Sequence, residues 1–101
     1  MRPLDYTSHS ELYAYELRRL RIAQGFSKSR FAMMVGVSRR YLIKLEAAEA
    51  SPTLEMMETL AAGLDVTACE MVDFEAIDLR HRTIRGLASP GVPDYTQEYQ
   101  S

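Results

Sequence analysis

The sequence predicts an all-α fold, and three observations carry the prediction. Apolar residues recur at three- and four-residue intervals through the first two-thirds of the chain. Ser, Thr and Gly stand at the ends of these periodic segments, where helices need caps and stops. The connectors between segments are short, which favours a compact bundle.

Residues 1–7 hold no periodic pattern and read as an N-terminal arm. A first helix starts near Ser8 or Ser10, because Ser8-His9-Ser10-Glu11 has capping-box spacing. Leu12, Tyr13, Leu17, Leu20 and Gln24 share roughly one face of it, and Gly25 is a natural stop. Ser27 caps a second helix with Phe31, Ala32 and Val35 inward, and Gly36 supplies the turn that follows. Ser38 caps a third, short helix running to about Glu46 or Ala47. Ala48 to Thr53 is a loop containing Pro52. Thr53 caps a fourth helix, with Leu54, Met57, Leu60, Ala61 and Leu64 at core spacing, and Thr67-Ala68-Cys69-Glu70 opens a fifth. Five helices therefore form a domain at 8–73, followed by an extension at 74–101. In the extension, Ile77 to His81 alternates like a strand, while Phe74, Ile77 and Ile84 could share a helix face; periodicity leaves both open. From Ser89 onward, Pro90, Gly91, Pro93 and a Tyr-rich end read as an extended tail.

Composition narrows the function classes. The chain has 101 residues, 47% hydrophobic and 26% charged, which is globular composition. Its apolar runs are too short to span a bilayer. The opening Met1-Arg2-Pro3-Leu4-Asp5 lacks the apolar run of a signal peptide, and the single cysteine, Cys69, has no partner in the chain. A cytoplasmic setting is expected. The net charge of −2 argues at first against a nucleic-acid partner. The sum conceals a division. Eight basic and no acidic residues lie between Leu17 and Leu45, whereas nine acidic and no Lys or Arg lie between Glu46 and Asp78. A molecule with a basic pole binds a polyanion despite a negative total.

The basic block falls on two helices joined by a tight turn, at residues 26–46. Ala32 is small where the helices approach, Gly36 can take the left-handed conformation, and Val37 plugs the core beneath the turn. In the third helix Leu42 and Leu45 point one way. At about 100° per residue, Arg40, Lys44 and Ala47 then point the other way, flanked by Arg39 and Tyr41. A short capped helix presenting such a face suits the DNA major groove.

From about Glu16 to Val72 the chain resembles the phage-repressor and Cro-type helix-turn-helix family, also called the XRE family. The resemblance rests on Leu-Arg-x-x-Gln-Gly-Phe-Ser at 20–27, Phe-Ala-x-x-Val-Gly-Val-Ser at 31–38 and Leu-x-x-Leu-Glu at 42–46. Pro-Thr-Leu-Glu at 52–55 and Leu-Ala-x-Gly-Leu-Asp-Val-Thr at 60–67 extend it with the spacing kept. It implies a compact five-helix lambda-repressor-like domain and a sequence-specific regulator of transcription. The expected form is a homodimeric repressor reading a palindromic operator in double-stranded DNA with the helix at 38–46. It further implies that Arg39, Arg40, Tyr41 and Lys44 reach bases, that Lys28, Ser29, Arg30 and Ser38 meet phosphate, and that Arg21 and Glu46 form a structural pair. Four departures stand out: Lys28 replaces a common glutamine, Ala48 replaces a common glycine, Glu49-Ala50-Ser51 lacks basic residues, and Met33, Met34 and Ile43 are apolar at usually polar positions.

A single recognition helix touches too few base pairs to single out a genomic site, so a symmetric dimer is expected. Met71, Val72, Phe74 and Ile77 are the expected dimer surface. Other chemistry finds little footing. His9, His81 and Cys69 lack metal-ligand spacing, and no nucleophile–base pair or phosphate loop occurs, so no enzyme, metal or cofactor is expected. Cys69 reads as a buried or interface cysteine, and Met56, Met57 and Met71 as core filler. Arg80, His81, Arg82 and Arg85 form a second basic patch, either solvated, paired with the acidic pole or touching flanking DNA. Phage-type repressor and restriction–modification controller are both compatible with this domain. An antitoxin is a third identity, its protein partner held by a tail carrying Asp94, Tyr95, Glu98 and Tyr99. A protein-interaction module that has lost DNA binding is the rival from another class.

Overall fold

The computed structural model describes residues 8–84, which hold six α-helices and, among those residues, no strand. They are α1 (His9–Ala23), α2 (Lys28–Val35), α3 (Arg39–Glu46), α4 (Leu54–Gly63), α5 (Ala68–Met71) and α6 (Phe74–Ile84). The N-terminal arm, Arg85 and the tail from Ser89 lie outside the described residues.

Each of the first five helices begins at the residue its sequence marks. Glu11 N–H donates to Ser8 Oγ at 3.2 Å and Ser8 N–H donates to Glu11 Oε1 at 2.8 Å, a reciprocal box that satisfies two orphan donors. Ser27, Ser38 and Thr53 accept from the backbone N–H of Arg30, Tyr41 and Met56, each at 3.0 Å. Thr67 and Glu70 repeat the reciprocal box at α5. There the Thr67 backbone N–H, and then its hydroxyl, hold the Glu70 carboxyl below its ordinary pKa.

The helix ends share a second device. Gly25, Gly36, Ala48 and Asp65 all have φ between 58° and 81°. After each, a backbone N–H reaches five residues back: Phe26 to Arg21 O, Val37 to Ala32 O, Glu49 to Lys44 O and Val66 to Ala61 O, at 2.8–3.1 Å. This is the Schellman arrangement, which satisfies carbonyls left open at a helix end. Phe26, Val37 and Val66 then turn inward onto the core. Glycine takes the left-handed conformation freely at two of these positions, but Ala48 and Asp65 hold it against their own Cβ atoms.

Tyr13 and Leu17 of α1, Phe31 of α2, Leu42 and Leu45 of α3, Leu60 and Leu64 of the α4 segment, and Met71 of α5 form one core. Burial pushes the Tyr13 phenol up to about 12, with the nearby Tyr41 phenol adding to the shift. Leu54 departs from its expected core role. It is 80% exposed, while Met56 and Met57 of the same helix pack against the core. At Gly63 α4 passes close to α2: a Cβ there would lie 2.5 Å from Val35 Cγ1 and 3.3 Å from the Phe31 ring.

Beyond residue 73 the fold continues, which corrects both the five-helix count and the choice between strand and helix. The alternating Ile77–His81 stretch is helical, and α6 packs along α1. Glu16, itself buried, draws the two together: it accepts from Arg80 Nη1 at 2.7 Å and from both Arg19 donors at 2.8 and 3.0 Å. His9 stacks on Phe74 with centroids 4.4 Å apart, and Tyr15 meets His81 edge-on at 4.6 Å. The second basic patch is thus largely engaged, since Arg82 also pairs with Asp78.

Two corrections follow for the expected dimer surface. Met71 and Ile77 are fully buried within the protomer and have no area left for a partner. Phe74 is half-buried, and only Val72 of the four counts as exposed. Cys69 is exposed, not buried in the domain.

Opposite outcomes are expected for two small substitutions. Ala48→Gly relieves the left-handed strain and stabilises by about 0.5–1 kcal/mol after the unfolded-state entropy of glycine is deducted. Gly63→Ala drives a methyl into Val35 and destabilises by about 1–3 kcal/mol. Urea unfolding of the two variants beside the parent measures both.

Candidate nucleic-acid interface

Met33 to Tyr41 build the turn that aims α3. Val35 closes α2, Gly36 reverses the backbone at φ 78°, and Val37 anchors the turn from below. Ser38 then starts α3 at once, so the two helices are held with no slack between them. Leu42 and Leu45 are buried, which fixes the rotation of α3 about its own axis. Arg40 and Ala47 consequently point almost directly away from the core. Lys44 and Ile43 lie about 50° to either side of that direction, with Arg39 beyond Ile43. All five are exposed.

Tyr41 differs from its expected place on this face. It is half-buried and packs against the core, so only part of its ring borders the exposed surface. Ser29 and Arg30, in the first turn of α2, are exposed, and Lys28 is half-buried. Ser38 Oγ accepts from Tyr41 N–H and retains its own O–H as a donor. The start of α2, with N–H groups and dipole directed outward, is chemically suited to an anion. Neither the first turn of α2 nor that of α3 contains an acidic residue.

What holds α3 in place at its far end is Arg21. Its Nε donates to Glu46 Oε2 at 2.6 Å, its Nη2 to Glu46 Oε1 at 3.0 Å, and its Nη1 to the Phe26 carbonyl at 2.7 Å. The two side chains are 6% and 4% exposed. A bidentate fork with a third bond to the backbone uses the planar geometry that a lysine lacks.

Met33 is 76% exposed and Met34 48%, with no described segment over them. Among the described residues no group of three or more His, Cys, Asp or Glu could hold a metal ion. No helix among them is long and apolar enough to cross a membrane.

A helix-turn-helix family profile matches residues 17–71 of the chain. The chain belongs to the XRE-type helix-turn-helix family. The restriction-modification controller protein C.AhdI from Aeromonas hydrophila is 30% identical over 60% of this chain and 92% of its own, with a TM-score of 0.59. A hypothetical transcription factor, NHTF, from Neisseria is 25% identical over 78% of this chain and 97% of its own, with a TM-score of 0.64. A helix-turn-helix transcriptional regulator from Vibrio cholerae is 28% identical over 85% of this chain but 44% of its own, with a TM-score of 0.57. No curated protein matches the sequence. Family and fold are those of DNA-binding transcription regulators, not of enzymes. The chain is a DNA-binding regulator of this kind. The resemblance implies Arg21 with Glu46, and the two are paired; nothing in the sequence signals Glu16 with Arg80, 64 residues apart.

Glu46→Ala strands the Arg21 charge in a buried site and should destabilise by about 3–5 kcal/mol. Replacing both partners with Met and Leu should destabilise far less. Chemical denaturation of the single and double variants makes the comparison.

Proposed function

We propose that the protein is a homodimeric repressor that reads a palindromic operator with α3. The carrying observation is the exposed face of α3, where Arg39, Arg40 and Lys44 stand clear of any carboxylate on that helix except Glu46, which Arg21 occupies. Arg39, Arg40 and Lys44 contact base edges, with Arg40 in the central position for a bidentate bond to guanine. Tyr41, at the border of the face, contributes a peripheral contact. Lys28, Ser29, Arg30 and Ser38 meet phosphates and set the register.

The dimer face in this reading is the outer side of α5 and α6. On α6, Ala76, Leu79 and Thr83 are exposed at three- and four-residue spacing, Leu79 to 68%, and Val72 is exposed at the end of α5. Such a stripe on a helix is self-complementary across a two-fold axis. The match covers 92% of the controller protein C.AhdI, which supports a controller-type regulator as the narrower identity; a DNA-binding role goes with a cytoplasmic setting. The antitoxin alternative rests on the tail, outside the described residues. The interaction-module alternative draws on Met33 and Met34, but the basic face of α3 favours DNA.

Selection from random duplexes at near-physiological salt should enrich a palindrome bound far more tightly than scrambled DNA. On that operator Arg40→Ala should cost about 1–3 kcal/mol and relax preference at one position per half-site, while Lys28→Ala should weaken all sequences alike and lower the salt slope by about one. Enrichment of nothing, with weak binding abolished by salt, overturns the reading. Leu79→Glu should convert dimer to monomer in sedimentation while leaving helix content unchanged.

A further inference from the structure

We propose that Ile43 is a specificity-determining residue that reads the C5-methyl group of a thymine in each half-site. The inference rests on the DNA reading of α3 given above and adds an apolar component to it.

Ile43 is an isoleucine, 37% exposed, on a face otherwise made of Arg39, Arg40, Lys44 and Ala47. Its position on the helix is set by Leu42 and Leu45, whose burial turns Ile43 about 50° from the outward direction, as near to it as Lys44. With Arg40 at the centre of the docked face, Lys44 and Ile43 flank it on its two sides, at about 40° and about 60°. It stands between Arg39, four residues before it, and Ala47, four residues after; its one acidic neighbour at three or four residues, Glu46, is turned inward and held by Arg21. A β-branched side chain on a helix has one strongly preferred χ1, so it presents its methyl groups at a defined place.

Only one base offers an apolar partner in the major groove: thymine, through its C5-methyl. Opposite the polar edge of any other base, Ile43 would remove hydrogen-bonding groups from water without replacing the bonds. The preference is therefore two-sided, attraction to the thymine methyl and a desolvation penalty elsewhere. Ala47, directly outward on the next turn, has a methyl of its own and leaves room for the duplex to approach the ridge. Met33 and Met34, by contrast, lie on α2 away from this ridge, and nothing in the structure shows what covers them.

The test uses the full chain and the operator recovered by selection. Each thymine of the half-site is replaced in turn by deoxyuridine, which removes the C5-methyl and leaves base pairing intact. With the parent protein, one position per half-site should lose roughly fourfold in affinity, the worth of one buried methyl-sized group. Ile43→Ala should bind the unmodified operator correspondingly more weakly and lose the deoxyuridine effect at that position, while Ile43→Val retains it. Arg40→Ala should keep the deoxyuridine effect despite its own loss of affinity. Binding of scrambled duplex by Ile43→Ala should equal that of the parent, which excludes a folding defect.

A flat deoxyuridine scan on an enriched operator overturns the role of Ile43 and leaves the DNA reading standing. Persistence of the effect in Ile43→Ala also overturns it. Failure of selection to enrich any duplex overturns the DNA reading itself, and the role of Ile43 with it.

Discussion

Arg21 and Glu46 face each other inside the domain, almost wholly removed from water. Their mutual attraction is offset by the desolvation of both charges, so the pair is weak evidence for net stability. Its consequence is directional. Arg21 lies in the last turn of α1, its third bond grips the Phe26 carbonyl in the turn before α2, and Glu46 is the last residue of α3. Three elements converge on one planar guanidinium, and no small rotation of α3 preserves all three bonds. The exposed face of α3 is held at one end by the Gly36–Ser38 turn and at the other by this fork.

Helix ends do much of the remaining positioning. Four of them use a left-handed residue followed by a long backward hydrogen bond, and three then insert the next side chain into the core. Each connector is thereby both a stop and an anchor. Short connectors with fixed geometry leave α2 and α3 few ways to cross. Gly63 lets α4 close against Val35 and Phe31, bringing the back of α2 into the core while its first turn stays in solvent.

The charge balance follows the same logic. The net charge of −2 includes acids that are engaged within the fold: Glu46 by Arg21, Glu16 by Arg19 and Arg80, Asp78 by Arg82. Glu49, Glu55, Glu58, Asp65, Glu70, Asp73 and Glu75 all follow α3, away in sequence from the first turns of α2 and α3. A polyanion approaching α3 meets a local field that the total charge does not describe.

The first five helix starts are legible in the residues alone, because a cap is a local event: a hydroxyl, a backbone N–H three residues on, and nothing else. The sequence also determined which side of α3 is outward, since Leu42 and Leu45 state the rotation, and through family resemblance it indicated the Arg21–Glu46 pair. Tertiary structure decided the rest. Residues 74–84 carry two competing periodicities, and only the surface of α1, with Glu16 waiting for Arg80 and His9 for Phe74, selects the helix. Ile77 reads as dimer surface in isolation and is buried within the protomer, on the helix that packs along α1. Leu54 shows the converse, core spacing without a neighbour to bury it. Burial is a property of what lies opposite, and a periodic pattern specifies only one side of each contact.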